Sequence, residues 1–257
     1  MGCGATKKTK KPSGNTKKLD ASSSEMETIK IYYQANQHFL PNRIRDLFQK
    51  FFMNQSSQAT VIDLKFIGLI GNPLKSLEII LPHFPQLRTL DLWKTRLGNE
   101  GVKIIVPFFD YFPHLTFLSL ADNRIGYQGL QELVKKFIIL QELEDLQLHV
   151  NPFTPEATSL LSEKIKALAN IKNISLDECE MGGDSLKSLI FSLCDLKNIE
   201  RVSVDYNNIG EQTGPGLIGV VNKMKKLKRF SMQHCGIGLV SQEALKKVYP
   251  DILFSFA

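Results

Sequence analysis

The sequence is poor in most of what marks an enzyme, a metalloprotein or a membrane span. Of its four cysteines, Cys3, Cys179, Cys194 and Cys235, none forms a C-x-x-C pair, so zinc spacing is missing. The five histidines are too scattered for a metal site, and no metal or cofactor is expected. There is no phosphate-cradling glycine loop and no nucleophile–base pairing, and the chain does not read as an enzyme. No apolar run approaches the ~20 residues of a spanning helix. Residues 4 to 25 hold no apolar stretch that would serve as a signal peptide, so a cytosolic location is expected. Basic residues form no stripe with aromatics, which argues against nucleic-acid binding. Tryptophan occurs once, at Trp93.

The formal net charge is +6 over 257 residues, and most of it sits at one end. Lys7, Lys8, Lys10, Lys11, Lys17 and Lys18 face only Asp20 and Glu25 within residues 1–25, which leaves the remainder nearly neutral. That tail opens Met1-Gly2-Cys3-Gly4-Ala5-Thr6, the N-myristoylation pattern, with Cys3 placed for a palmitoyl group. One acyl chain anchors marginally; a second chain or a basic patch makes the attachment stable, and this tail offers both. Each lysine near an anionic leaflet contributes about 1 kcal/mol. Pro12, Gly14 and Ser22–Ser24 in an otherwise polar segment predict disorder over residues 4–25. The tail therefore points to the cytoplasmic face of a membrane, the plasma membrane first, and to the cytosol if it is not acylated.

What the chain has in abundance is repetition. Segments starting at Leu87, Leu115, Leu143, Ile171, Ile199 and Leu227 share one pattern, apolar-x-x-apolar-x-apolar-x-x-(Thr, Asn or Cys)-x-apolar. Successive starts are 28 residues apart, and a degenerate copy begins one period earlier at Ala59. A fixed period of this length predicts a solenoid, in which each unit buries its apolar face against its neighbours. The L-x-x-L-x-L piece reads as a strand. The Asn-type position follows as a turn, then a glycine (Gly98, Gly126, Gly182, Gly210, Gly238) suited to a bend. A helical stripe closes the unit, as in Leu130, Leu133, Val134, Phe137 and in Leu186, Leu189, Ile190, Leu193. Small residues (Gly101, Gly129, Ala157, Ser185, Thr213, Ser241) precede the stripes, consistent with helix packing closely on strand. Pro107 should end or kink its helix, and Gly214-Pro215-Gly216 should shorten another. Cys179 and Cys235 occupy the Asn position two periods apart and read as buried thiols rather than a disulfide.

The expected organisation is a tail (1–25), an N-terminal cap (26–58), about seven repeats (59–250) and a C-terminal cap strand (251–257). In the first cap, Met26, Ile29 and Ile31 read as a strand and 41–52 as a helix. The 28-residue unit and the Asn/Cys alternation resemble the ribonuclease-inhibitor-like class of leucine-rich repeats, over residues 59–250. That class includes the Ran GTPase-activating protein and the C-terminal domain of tropomodulin. The resemblance implies an α/β horseshoe with a parallel concave sheet and convex helices.

On such a sheet the residues between the apolar strand positions face a partner. Asp145, Asp177, Glu178 and Asp205 read as an acidic zone, and Phe66, Trp93, Phe117 and Tyr206 as exposed aromatics. The expectation is a monomeric scaffold that grips a protein with a basic patch and is anchored near Trp93. The alternative that the resemblance implies is a small-GTPase regulator, for which Arg96 and Arg124 stand in post-strand loops where a phosphate would be met. The acidic tail typical of the Ran protein, and the helical N-terminal segments of tropomodulin, have no counterpart in the sequence.

Overall fold

The computed structural model describes residues 22–256. Eight three-residue strands form one sheet: β1 Val61–Asp63, β2 Thr89–Asp91, β3 Phe117–Ser119, β4 Asp145–Gln147, β5 Asn173–Ser175, β6 Arg201–Ser203, β7 Arg229–Ser231 and β8 Leu253–Ser255. Every strand is parallel to the next, in sequence order. The register follows the 28-residue period, with Leu90 opposite Leu118 and Leu118 opposite Leu146. Only the last step is shorter, Arg229 pairing with Leu253. The expected solenoid, its first degenerate copy and its terminal strand are all present.

The middle residue of each strand points inward and is buried: Ile62, Leu90, Leu118, Leu146, Ile174, Val202, Phe230 and Phe254. Behind the sheet lie the return helices. They are α3 Asn72–Ile80, α4 Gly98–Ile105, α5 Tyr127–Val134, α6 Pro155–Lys164, α7 Gly183–Cys194, α8 Gly214–Val220 and α9 Leu239–Val248. The stripes of α5 and α7 are buried as their spacing demands, although Phe137 packs from the turn beyond α5. Pro107 ends α4, which passes into a 3-10 turn over Val106–Tyr111. The Gly214-Pro215-Gly216 helix is the shortest of the set, Gly214–Val220, and a 3-10 turn at Glu211–Thr213 precedes it.

The turns are fastened by a buried ladder. Asn123 Oδ1 accepts from the backbone N–H of Thr95 at 3.0 Å and of Leu97 at 3.1 Å, one coil away. Its Nδ2 donates to Leu92 O at 2.7 Å and Ala121 O at 3.0 Å. Asn151 repeats the arrangement toward Asn123 N, Ile125 N, Leu120 O and Leu148 O. Asn207 does so toward Cys179 N, Met181 N, Leu176 O and Val204 O. Cysteine supplies only the donor half: Cys179 Sγ donates to Leu148 O and Cys235 Sγ to Val204 O. Desolvation in these positions pushes the thiols of Cys179 and Cys235 up, to about 12 and about 11. Both stay protonated donors at neutral pH.

Three sequence expectations need correction. The segment read as a strand from Met26, Ile29 and Ile31 is helical, within α1 Ser23–Asn36. The helix also takes in Ser23–Glu25 of the segment expected to be disordered, with Ser22 as its cap, while residues 4–21 lie outside the described residues. The cause is a cap: Ser22 Oγ accepts from Glu25 N at 3.2 Å and starts the helix. The second correction concerns the small-residue column. A Cβ on Gly101 would stand 2.8 Å from Leu97, and one on Gly129 would stand 2.8 Å from Asn99 and 2.9 Å from Ile125. At these two positions the small residue makes room for the turn and, at Gly129, the preceding coil, not for the strand. Third, the post-turn glycines serve two ends. Gly98 and Gly210 use φ of +59° and +78°, whereas Gly182 has an extended backbone and is tight against Asn208 O, 3.2 Å from its missing Cβ.

The N-terminal cap pairs α1 with α2 Asn42–Phe52. Phe48 is fully buried at its centre, with ring centroids 5.0 Å from Tyr33 and 6.3 Å from both Tyr32 and Phe52. Arg43 ties α2 to the first strand through Asp63 at 3.1 Å. His83 closes the seam from the adjoining 3-10 turn, its ring 4.5 Å from Phe51, and burial lowers its pKa.

Candidate functional site

The side chains at the first and third position of each strand, and at the residue two beyond, share the face opposite the core. Phe117 and Asp145 lie at first positions, while Trp93, Asp177 and Asp205 lie in the column two beyond the strand ends. Phe66, Glu178 and Tyr206 lie one residue further, at the rim. There every repeat turns through a left-handed residue: Phe66, Lys94, Asp122, Val150, Glu178, Tyr206 and His234 have φ between 49° and 66°. Such a backbone is unfavourable for β-branched Val150. It is imposed by the ladder, since these N–H groups donate to the next coil, Phe66 N to Trp93 O at 2.9 Å and Val150 N to Asp177 O at 2.8 Å.

The aromatics divide into two groups. Phe66 and Trp93 touch, with centroids 4.8 Å apart. Trp93 then reaches across the small Ala121 to His149 at 5.9 Å. Phe66 is 57% exposed and Trp93 half-buried, so the pair keeps a large apolar surface in water at the N-terminal half of the sheet. Tyr206 is separate, stacked on His234 at 4.7 Å and 54% exposed. Phe117 is half-buried and stands alone in the first-position column.

The acidic residues do not form one free zone. Asp177 Oδ1 accepts from Asp205 N at 2.8 Å and from Ser203 Oγ, and its Oδ2 accepts from Ser175 Oγ at 3.0 Å. Asp205 repeats this toward Gln233 N at 2.7 Å and Ser231 Oγ at 2.9 Å. Asp145 accepts from Gln147 Nε2 and, at 3.1 Å, from Asn173 Nδ2. These carboxylates fasten one strand to the next; Glu178 alone projects as an exposed acid at the rim. Their charge remains, but most of their hydrogen-bonding capacity is taken.

Ser175 also lies 3.2 Å from His149 Nδ1. The set Ser175, His149 and Asp177 carries the residue types of an acyl-transfer triad in the wrong order, because the aspartate bonds the serine and not the imidazole. Burial lowers the His149 pKa against the opposing pull of Asp177, Asp122 and Glu178. The ring is a neutral wall beside Trp93.

Between β4 and β7 the face sinks into a depression of about 270 Å³, lined by Asp145, Asn173, Ser175, Arg201, Asp205 and Arg229 among others. Arg201 and Arg229 were overlooked as site residues in the sequence. The signal was there, two arginines one period apart at the same strand position. Arg96 and Arg124 are exposed turn residues with φ of 62° and 58°, and nothing in their placement supports the GTPase-regulator reading. Gly2, Cys3 and the six tail lysines lie outside the described residues.

No helix among the described residues is long and apolar enough to cross a membrane. The profile of the leucine-rich-repeat family matches residues 113–134, the single coil made of β3 and α5. No curated protein matches the sequence. Among solved structures, a leucine-rich-repeat protein of Leptospira interrogans is similar at 19% identity and a TM-score of 0.52, over 79% of this chain and 44% of that one. This chain thus spans less than half of that relative's length. The C-terminal domain of Caenorhabditis elegans tropomodulin is similar at 14% identity and a TM-score of 0.44, over 69% of this chain and 92% of that one. With the family profile seated on one coil, and that coil recurring in register along the sheet, the chain has the leucine-rich-repeat fold.

Proposed function

We propose that this chain is a protein-binding scaffold that docks its partner on the concave face and is held at a membrane by its N-terminal tail. The observation that carries the docking site is the Phe66–Trp93 pair. Two large aromatics in contact at 4.8 Å, with surface left in water, are the kind of anchor on which interfaces concentrate their energy. The solenoid fold supports the same reading, since stacked coils make an extended concave surface. We read the coils as ribonuclease-inhibitor-like on their 28-residue period and Asn/Cys ladder. Membrane attachment rests on the tail sequence: Gly2 for a myristoyl group, Cys3 for a palmitoyl group, and Lys7, Lys8, Lys10, Lys11, Lys17 and Lys18 for an anionic leaflet. The partner engages Trp93, Phe66 and Tyr206 with apolar groups, and sets basic groups over the negative potential of Asp145, Asp177, Glu178 and Asp205.

Proximity labelling in cells tests both halves. The intact chain is compared with Gly2→Ala and with Trp93→Ala. Gly2→Ala is expected to shift the labelled set away from membrane proteins while leaving concave-face partners in place. Trp93→Ala is expected to keep the membrane set and to weaken the captured partner by about tenfold or more, the loss typical of a hot-spot aromatic. Identical labelling by all three chains contradicts the reading.

A further inference from the structure

We propose that Arg201 and Arg229 together form a subsite for a carboxylate side chain, an Asp or Glu of the docked protein. The inference rests on the concave-face reading and gives it a charge it lacked, an acidic residue set among the partner's basic ones.

Arg201 and Arg229 are direct register partners on β6 and β7, and both are exposed. Neighbouring strands lie about 4.8 Å apart, so two like charges stand side by side, which weakens the pairing of the strands that carry them. Among the described residues neither guanidinium makes an ion pair. Arg201 makes one side-chain hydrogen bond, at 3.5 Å, to Asn173 Oδ1. The acids within reach are otherwise engaged. At the adjacent edge, Glu200 holds Lys228 at 2.6 Å and Glu144 holds Lys172 at 2.7 Å. Inside the depression, Asp205 and Asp145 accept from serine, backbone and amide donors as described. The arrangement therefore leaves two arginines without an ion-pair partner among the residues that line a concave depression. Their planar donors fit a carboxylate in two-pronged fashion.

Size and charge narrow the occupant. A depression of about 270 Å³ lies below the roughly 300–1,000 Å³ of small-molecule and cofactor pockets and has room for a single side chain. Asp145 and Asp205 line the same depression, so a phosphate dianion would meet two like-charged groups that a carboxylate monoanion meets with half the charge.

The test uses random peptides displayed on phage and selected against the full chain. The intact protein is expected to enrich peptides with Asp or Glu at one fixed position. The charge-reversed chain, Arg201→Glu with Arg229→Glu, is expected to enrich Lys or Arg at that position. It should bind the original peptides about tenfold or more weakly. Because reversal adds acids to a face that already holds several, the neutral pair Arg201→Gln with Arg229→Gln is measured alongside, each chain first shown by circular dichroism to be folded. It should lose the acidic preference without gaining a basic one. Peptides that lack an acidic position, yet compete at Trp93, overturn the subsite and leave the concave-face reading standing. Binding indifferent to both Trp93→Ala and the arginine variants, or recovery of no peptide, overturns both. Tighter binding of phosphoserine than of Glu at the fixed position overturns the carboxylate assignment.

Discussion

Replacing Asn123 by alanine is expected to lower the free energy of unfolding by about 2–6 kcal/mol, read by urea denaturation. The amide spans two coils. Without it, the N–H groups of Thr95 and Leu97 lose their acceptor inside the core. A buried donor left unpaired costs about 1–3 kcal/mol, and two are created here. Leu92 O and Ala121 O suffer less, because Thr95 Oγ1 still reaches the first at 2.8 Å and Lys94 N the second at 2.8 Å. Against total stabilities of about 5–15 kcal/mol, a loss of this size removes a large share of the folding free energy. Asn123→Cys separates the two halves of the amide's role. It keeps a donor, as Cys179 and Cys235 do in their own coils, but offers no acceptor to the two N–H groups. Its loss should fall between those of the parent and the alanine variant. An alanine variant within about 0.5 kcal/mol of the parent would mean that the ladder carries no weight.

Phe48→Ala is expected to cost about 3–5 kcal/mol, and to cost it locally. Phe48 is fully buried and joins α1 to α2 through Tyr32, Tyr33 and Phe52. In a solenoid each unit contacts only its neighbours, so stability divides along the chain. Amide hydrogen exchange should accelerate throughout α1 and α2 while β4 to β6 keep their protection. Uniform acceleration from cap to C-terminus would show that the cap and the central coils unfold as one unit. The contrast with Asn123 is the informative part: a central rung is supported from both sides, whereas the cap is held from one.

The fold was legible because each repeat carries its whole instruction. A buried centre such as Leu90, a turn residue such as Asn123 and a stripe such as Leu186–Leu193 recur in step, and a slip of one residue would turn every strand inside out. The cap was misread because it is not repeated. Ile29 and Ile31 suit a period of two, and Met26 and Ile29 suit a helix. The deciding signal, Ser22 three residues before Glu25 as in a capping box, lies in a stretch taken for tail. The site was less legible than the fold. Spacing places Asp177 and Asp205 on the concave face, but it cannot tell a free carboxylate from one that fastens the next strand. That depends on the serines at 175, 203 and 231 and on backbone N–H groups delivered by the following coil. The contact of Trp93 with His149 likewise depends on the small side chain of Ala121 between them. Two arginines in step were visible, yet their lack of acidic partners becomes apparent only when Glu200 and Glu144 are found on lysines.

The account stands on coils translated by one strand spacing per 28 residues, and pulsed electron–electron resonance on spin-labelled chains measures that directly. One label is fixed at Val61→Cys on β1 and the second placed at Asp145→Cys on β4 or Arg229→Cys on β7, with Cys3→Ser throughout; the remaining cysteines are buried. Stacked parallel strands predict backbone separations of about 14 Å for the first pair and, reduced by curvature, at most about 29 Å for the second. A second distance equal to or shorter than the first, or broad distributions for both, would contradict the register on which the sheet and its concave face depend.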